Sequence, residues 1–158
     1  MPVQKQKLCL ILRGLPGVGK TYLAKEYLSY IRNAFDPDGV SGTNDPATLS
    51  SDDYFLQDKV FKFDKDKLGE AHKWNFERFK AEVEKETPFI IVDNTNIKNF
   101  HYYHYLDYAQ RNNYLTAIVI VPDNNLSNRE LAEKNIHGVT QETIRRMRSI
   151  FEWKTEEK

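Results

Sequence analysis

At 158 residues, with 40% apolar and 29% charged side chains, the chain has the size and composition of one soluble globular domain. Its 23 basic and 23 acidic residues cancel, which excludes a global positive field as the source of any nucleic-acid binding. One cysteine, Cys9, excludes a disulfide framework and a cysteine-based metal site. With no apolar leader near the start and no run of the ~18 apolar residues that a membrane span needs, the sequence predicts a soluble protein of a reducing, intracellular compartment that makes no membrane contact.

Leu8 to Leu12 form an unbroken apolar run that predicts a buried strand. It leads directly into Gly14, Leu15, Pro16, Gly17, Val18, Gly19, Lys20 and Thr21, which fit the pattern G-x-x-x-x-G-K-[ST]. Glycines in such a loop let backbone N–H groups turn inward around a polyphosphate. The lysine reaches the terminal phosphates and the threonine hydroxyl can ligate magnesium. Ala24, Leu28 and Ile31, with Leu23, Tyr27 and Tyr30 alongside, predict an amphipathic helix behind the loop, whose N-terminus adds to the attraction for anions. Asn33 to Ala47, rich in Pro, Gly and Asp, reads as a long loop, either a lid or substrate rim or a tolerated surface insertion.

Thr48 to Ser50 predict a short strand that delivers Ser51, Asp52, Asp53 and Tyr54 to its carboxyl end, the edge at which open α/β sheets bind ligands. A carboxylate there can take the proton of an attacking hydroxyl; alternatively, Ser51 or Asp52 caps a helical turn. The spacing of Leu68, Ala71, His72, Phe76, Phe79 and Val83 predicts a helix to about Lys85, with His72 as a hydrogen-bonded residue of the buried stripe and Trp74 off it. Phe89 to Val92 form a second apolar strand, ending in Asp93, an acidic residue placed to hold magnesium beside a phosphate loop or, alternatively, to cap the helix that follows. Lys98 to Arg111 predict an aromatic-rich helix, and Tyr114 to Val121 a third long strand. Leu126 to Asn135 predict a helix bearing Arg129, Glu130 and Lys134, with Gly138 as its stop, and Gln141 to Trp153 a final helix carrying Arg145, Arg146 and Arg148. The cations of this last part either close as a lid over a transferring phosphoryl group or lie on solvated faces, Lys134 pairing with Glu130.

The set comprising Gly14 to Thr21, the Ser-Asp-Asp-Tyr run at 51–54, the Asp-Asn-Thr-Asn run at 93–96 and residues 131–139 resembles the polynucleotide 5′-hydroxyl kinase family. The run from Glu70 to Asn75 looks most like its subgroup typified by the kinase domain of NEDD4-binding protein 2. The resemblance covers nearly the whole chain and leaves out only 33–47. It implies a single domain over 1–158 with a three-layer α/β P-loop fold, a short parallel sheet flanked by helices and a C-terminal helical lid. It also implies transfer of the ATP γ-phosphate to a 5′-hydroxyl end of DNA or RNA. In matching positions Asp52 is the general base, Asp93 supports magnesium together with Thr21, and Lys134 or Arg129 closes from the lid. Two positions depart from the pattern. Phe55 stands where the phage enzyme has an arginine that holds the acceptor's phosphate, and Lys134 replaces a lid arginine, keeping the charge without the bidentate fork.

Overall fold

Seven residues, Lys7–Arg13, form the central strand β1, buried on both faces as a parallel strand must be. The computed structural model describes residues 6–35 and 45–155. After β1 come helix α1 (Lys20–Phe35), strand β2 (Ala47–Leu49), a 3-10 turn at Ser51–Phe55, a hairpin of β3 (Leu56–Gln57) and β4 (Val60–Phe61), and a second 3-10 turn leading into α2 (Leu68–Glu84). Strand β5 (Phe89–Asp93), a 3-10 turn at Asn99–His101, α3 (Tyr103–Arg111), β6 (Tyr114–Ile120), α4 (Asn128–Lys134) and α5 (Gln141–Ile150) complete the order.

Four strands make one parallel sheet in the order β2-β5-β1-β6. The register places Leu49 beside Val92, Asp93 beside Leu12 and Arg13 beside Ile120. The carboxyl ends of all four strands therefore share one edge, where the phosphate loop and the two aspartate-bearing runs emerge. Alternation along β1 divides the core. Cys9 and Ile11 face α2 and α3, packing with Phe79, Val83, Tyr105 and Leu106. Leu10 and Leu12 face α1, packing with Ala24 and Ile91. This is the three-layer α/β P-loop arrangement. A third cluster, Leu15, Ile97, Leu131, Ile144 and Phe151, lies beyond the sheet edge and joins the phosphate loop to α4 and α5.

Several boundaries differ from the sequence reading. Helix α1 runs through Asn33 to Phe35 and β2 begins at Ala47, so both ends of the expected 33–47 loop are regular structure; 36–44 lies outside the described residues. The hairpin β3–β4 was not foreseen; its turn places Asp58 and Lys59 at positive φ, 50° and 64°, the twist that suits a two-residue connection. The aromatic helix expected from Lys98 starts as a 3-10 turn and becomes α-helical only at Tyr103, which lets both Tyr102 and Tyr105 turn inward. In α2 the buried stripe is Ala71, Asn75, Phe79 and Val83, and His72 stands at its exposed edge. Asn75 can occupy the stripe because its amide donates to the buried Tyr105 hydroxyl at 3.0 Å.

The chain beyond α5 is extended and returns to β1 through Arg13, a fully buried side chain. Its Nε donates to the Asn96 carbonyl at 2.8 Å, and Nη2 donates to the carbonyls of Glu152 at 2.7 Å and Ile97 at 3.3 Å. The guanidinium lies 5.0 Å from the ring centroids of both Tyr102 and Phe151. Desolvation is the main reason its pKa falls below the ordinary value, and it remains a cation held by carbonyl dipoles and ring faces. No helix among the described residues is long and apolar enough to cross a membrane.

Candidate active site

The loop after β1 bends where its glycines allow it. Gly17 and Gly19 have φ of +84° and +99°, a region that L side chains rarely adopt. A Cβ on Gly17 would lie 2.3 Å from the Leu131 carbonyl oxygen of α4, whereas one on Gly19 would meet open space. The loop thus touches α4 on one side and presents a concave, unobstructed backbone on the other. Lys20 is buried, and its Nζ donates to the Leu15 carbonyl at 3.0 Å, folding the ammonium back along the loop. Burial lowers its pKa, and the nearby charges of Asp93 and Asp52 partly restore it.

Thr21 lies in the first turn of α1 and its hydroxyl donates to Asp93 Oδ2 at 2.8 Å. Burial raises the Asp93 carboxyl above its ordinary range, against the Thr21 hydrogen bond and the Lys20 charge. A hydroxyl and a carboxylate at this spacing beside a loop of inward-turned backbone fit a magnesium-bound polyphosphate, and the buried Lys20 ammonium could exchange its single carbonyl acceptor for phosphate oxygens.

One strand further out, the turn after β2 is capped by Ser50, whose hydroxyl accepts from the Asp52 N–H at 3.2 Å. Neither Ser51 nor Asp52 spends its side chain on capping. Ser51 donates its N–H to Asn94 Oδ1 and its hydroxyl shares a 2.9 Å hydrogen bond with His72 Nδ1. This contact fixes the turn against both β5 and α2. The Asp52 carboxylate lies 3.4 Å from His137 Nε2, and Asp53 accepts from Arg78 at 3.0 Å. Phe55, at the position of the family's arginine, is only 2% exposed and is enclosed by Phe61 and Phe63. It contributes packing to the hairpin and presents no group to a phosphate.

The segment expected as a lid starts at Ser127, whose hydroxyl and the Glu130 carboxylate form a reciprocal capping box at the head of α4. The two bonds from Ser127 hold the Glu130 carboxyl below its ordinary range. Arg129 is paired with Glu133 at 3.0 Å, and Lys134 is exposed in the last turn. The stop is Asn135 rather than Gly138. Its amide donates to the Ala132 and Val139 carbonyls, and its Oδ1 accepts from His137 and Val139, a knot that turns the chain and brings His137 back over Asp52. The expected arginine cluster disperses. Arg145 pairs with Glu142, Arg148 binds Asp123, Asn128 and the Leu126 carbonyl, and Arg146 is exposed. Arg148 therefore ties α5 to the start of α4. His137, His72 and Asn94 were not singled out as site residues; their sole signal was membership of the motif runs, since nothing in their spacing separates a site histidine from a surface one.

The family profile of the AAA domain matches residues 9–153. The chain belongs to the AAA domain family. This AAA domain is 39% identical over 140 residues to NEDD4-binding protein 2 of Homo sapiens, an alignment covering 87% of the chain and 7% of that much longer relative. Among solved structures, Kti12 of Chaetomium thermophilum in complex with ADP-AlF3 superposes with a TM-score of 0.60 at 14% identity, over 91% of this chain and 80% of that one. A chain of the Pnkp1/Rnl/Hen1 RNA repair complex superposes with a TM-score of 0.62 at 14% identity, over 94% and 45%. At such identities the likeness establishes the fold, a P-loop kinase-like domain of the nucleotide-binding type.

Proposed function

We infer that this AAA domain is a kinase that moves the γ-phosphate of ATP to the 5′-hydroxyl end of a nucleic acid. The observation that supports it is the half-exposed Asp52 carboxylate, faced by the His137 imidazole at 3.4 Å, on the same sheet edge as Lys20 and the Thr21–Asp93 pair and within electrostatic reach of Lys20. A module that only binds nucleotide has no use for such a carboxylate. The backbone amides of Gly17 to Thr21 and the Lys20 ammonium hold the β- and γ-phosphates. Thr21 and Asp93 would hold magnesium, which when bound would neutralise charge on the phosphates. Asp52 accepts the proton of the attacking hydroxyl as the new O–P bond forms and the bond from the γ-phosphorus to the β,γ-bridging oxygen breaks, releasing ADP. Lys134, or Arg129 once it leaves Glu133, screens the transferring group from the lid. The resemblance of the motif runs to polynucleotide kinases, and the RNA repair assembly among the structural neighbours, support the acceptor class.

The test is transfer of label from ATP to a 5′-hydroxyl DNA or RNA oligonucleotide. Lys20→Ala and Asp52→Asn are each expected to lower the rate by about 10²- to 10⁴-fold. An Asp52→Asn variant at full rate would remove the base assignment. A small alcohol or nucleoside outperforming every oligonucleotide would change the acceptor class, and tight ATP binding without transfer to any acceptor would leave a nucleotide-binding module.

A further inference from the structure

Of the eleven large apolar side chains exposed among the described residues, five, Leu56, Val60, Phe63, Trp74 and Ile136, lie on the turn, hairpin and lid segment that surround Asp52 or at the start of α2 beside them. Beneath them runs a continuous series of ring contacts. His137 lies 4.5 Å from Phe61, Phe61 lies 6.2 Å from Phe55, Phe55 lies 5.4 Å from Tyr54, and Tyr54 lies 5.6 Å from Trp74. Phe63, 54% exposed, stands edge-on to Phe55 at 5.1 Å, and Trp74, 37% exposed, carries Arg78 over its ring at 4.3 Å. Such a surface costs solubility when it faces water alone.

Lysines and carboxylates are interleaved with these rings in nearly equal number. Lys59, Lys62, Lys65, Lys67 and Lys73 are exposed, and their ammonium groups make no ion pair or hydrogen bond among the described residues. Asp58, Asp64, Asp66 and Glu70 share the region. Asp64 caps the turn before α2 by accepting from the Asp66 N–H, and Glu70 accepts from the Tyr54 hydroxyl at 2.8 Å. Rings for stacking, with flexible point charges between them, suit a ligand that alternates flat apolar faces with anions. A single-stranded nucleic acid has that alternation, and a base face is recognised whatever its sequence.

We propose that the ring-and-lysine surface formed by residues 54–63 and the first turns of α2 binds the single-stranded stretch of a nucleic acid that leads to Asp52, with bases stacked on Phe63 and Trp74 and phosphates facing the lysines. It rests on the transferase reading for the end placed at Asp52, and it replaces the missing arginine at position 55 by stacking. The grip is sequence-tolerant and requires unpaired bases. Duplex ends, whose bases are stacked on one another, are poor ligands.

Equilibrium binding of a fluorescent 5′-hydroxyl oligothymidylate, read by anisotropy without ATP, tests it apart from catalysis. Phe63→Leu keeps an apolar cover over Phe55 and removes the ring, and it is expected to weaken binding about 5- to 100-fold. Trp74→Ala is expected to do the same and Trp74→Phe to restore most of the loss. Replacing Lys62 and Lys65 by Gln is expected to lower the slope of log affinity against log salt by about 1.4 if both meet phosphates. Binding that is unchanged in Phe63→Leu and Trp74→Ala overturns the proposal, as does equal affinity for a blunt duplex, or a dimer in solution that leaves no oligonucleotide binding. If oligonucleotides bind with this dependence yet receive no phosphate, the surface stands and the transferase reading falls. If phosphate is transferred while the variants bind normally, the reverse holds.

Discussion

Gly17 is where two demands on one residue coincide. Its φ of +84° is favourable for glycine alone, and the place a Cβ would occupy is 2.3 Å from a backbone oxygen that cannot swing aside. Gly17→Ala must therefore strain the loop and push α4 outward together. It is expected to cost about 2 kcal/mol in thermal melts without nucleotide, and to remove most of the stabilisation that ATP confers on the wild type. Alanine at Gly19, where only φ opposes it, is expected to cost less in the nucleotide-free protein. This residue-level detail was half legible. The pattern from Gly14 to Thr21 is written locally because backbone geometry and phosphate chemistry dictate it at fixed spacing. That Gly17 also sets the approach of a helix more than a hundred residues later depends on tertiary contact and leaves no trace in the loop's own sequence. The same distinction explains the missed contact of His137 with Asp52, which exists only because the Asn135 knot turns the chain back.

Among the elements, the extended segment after α5 is held to the sheet edge by Arg13 together with Asn99. Removing the Arg13 guanidinium would take the donor from the carbonyls of Asn96 and Glu152, while the Ile97 carbonyl would keep the Glu152 N–H. Arg13→Ala is expected to destabilise the fold by about 3 kcal/mol in urea unfolding, and Arg13→Lys, with a single ammonium for several acceptors, to recover only part of it. Deep burial of an arginine was not foreseen, since a charge after five apolar residues ordinarily marks the end of a strand. Element existence was otherwise legible wherever apolar periodicity ran for a full turn or strand. The hairpin of β3 and β4 escaped because two residues per strand carry no readable alternation, and the start of α3 was misplaced because a 3-10 turn and an α-turn bury different faces of the same aromatic run.

For the molecule as a whole, pH and assembly order follow from what the layers enclose. The imidazoles of His72, His101 and His104 are each pushed below their ordinary range, first by desolvation and, for the latter two, by the charge of His72. The unfolded chain therefore takes up their protons at a higher pH than the native one. Stability is complete above the ordinary imidazole value of 6.5 and declines as pH falls through and below it. The Tm at pH 5.5 is expected to lie below that at pH 7.5, and a variant with Gln at all three positions should flatten the decline. Cys9, buried in β1 with its thiol pushed up to about 12, should resist alkylation until the sheet opens. The sequence identified the four sheet strands as strands without ordering them, because parallel pairing is decided by contacts between distant segments. Arg13 carries that distance into time. Its carbonyl partner at Glu152 is 139 residues further along the chain, and a ribosome adding some 5–20 residues per second needs roughly 10 s to supply it. Until then the central strand ends in a cation with nowhere dry to go, so a nascent chain can pair its sheet early but can seal the phosphate-loop edge only once synthesis has passed α5.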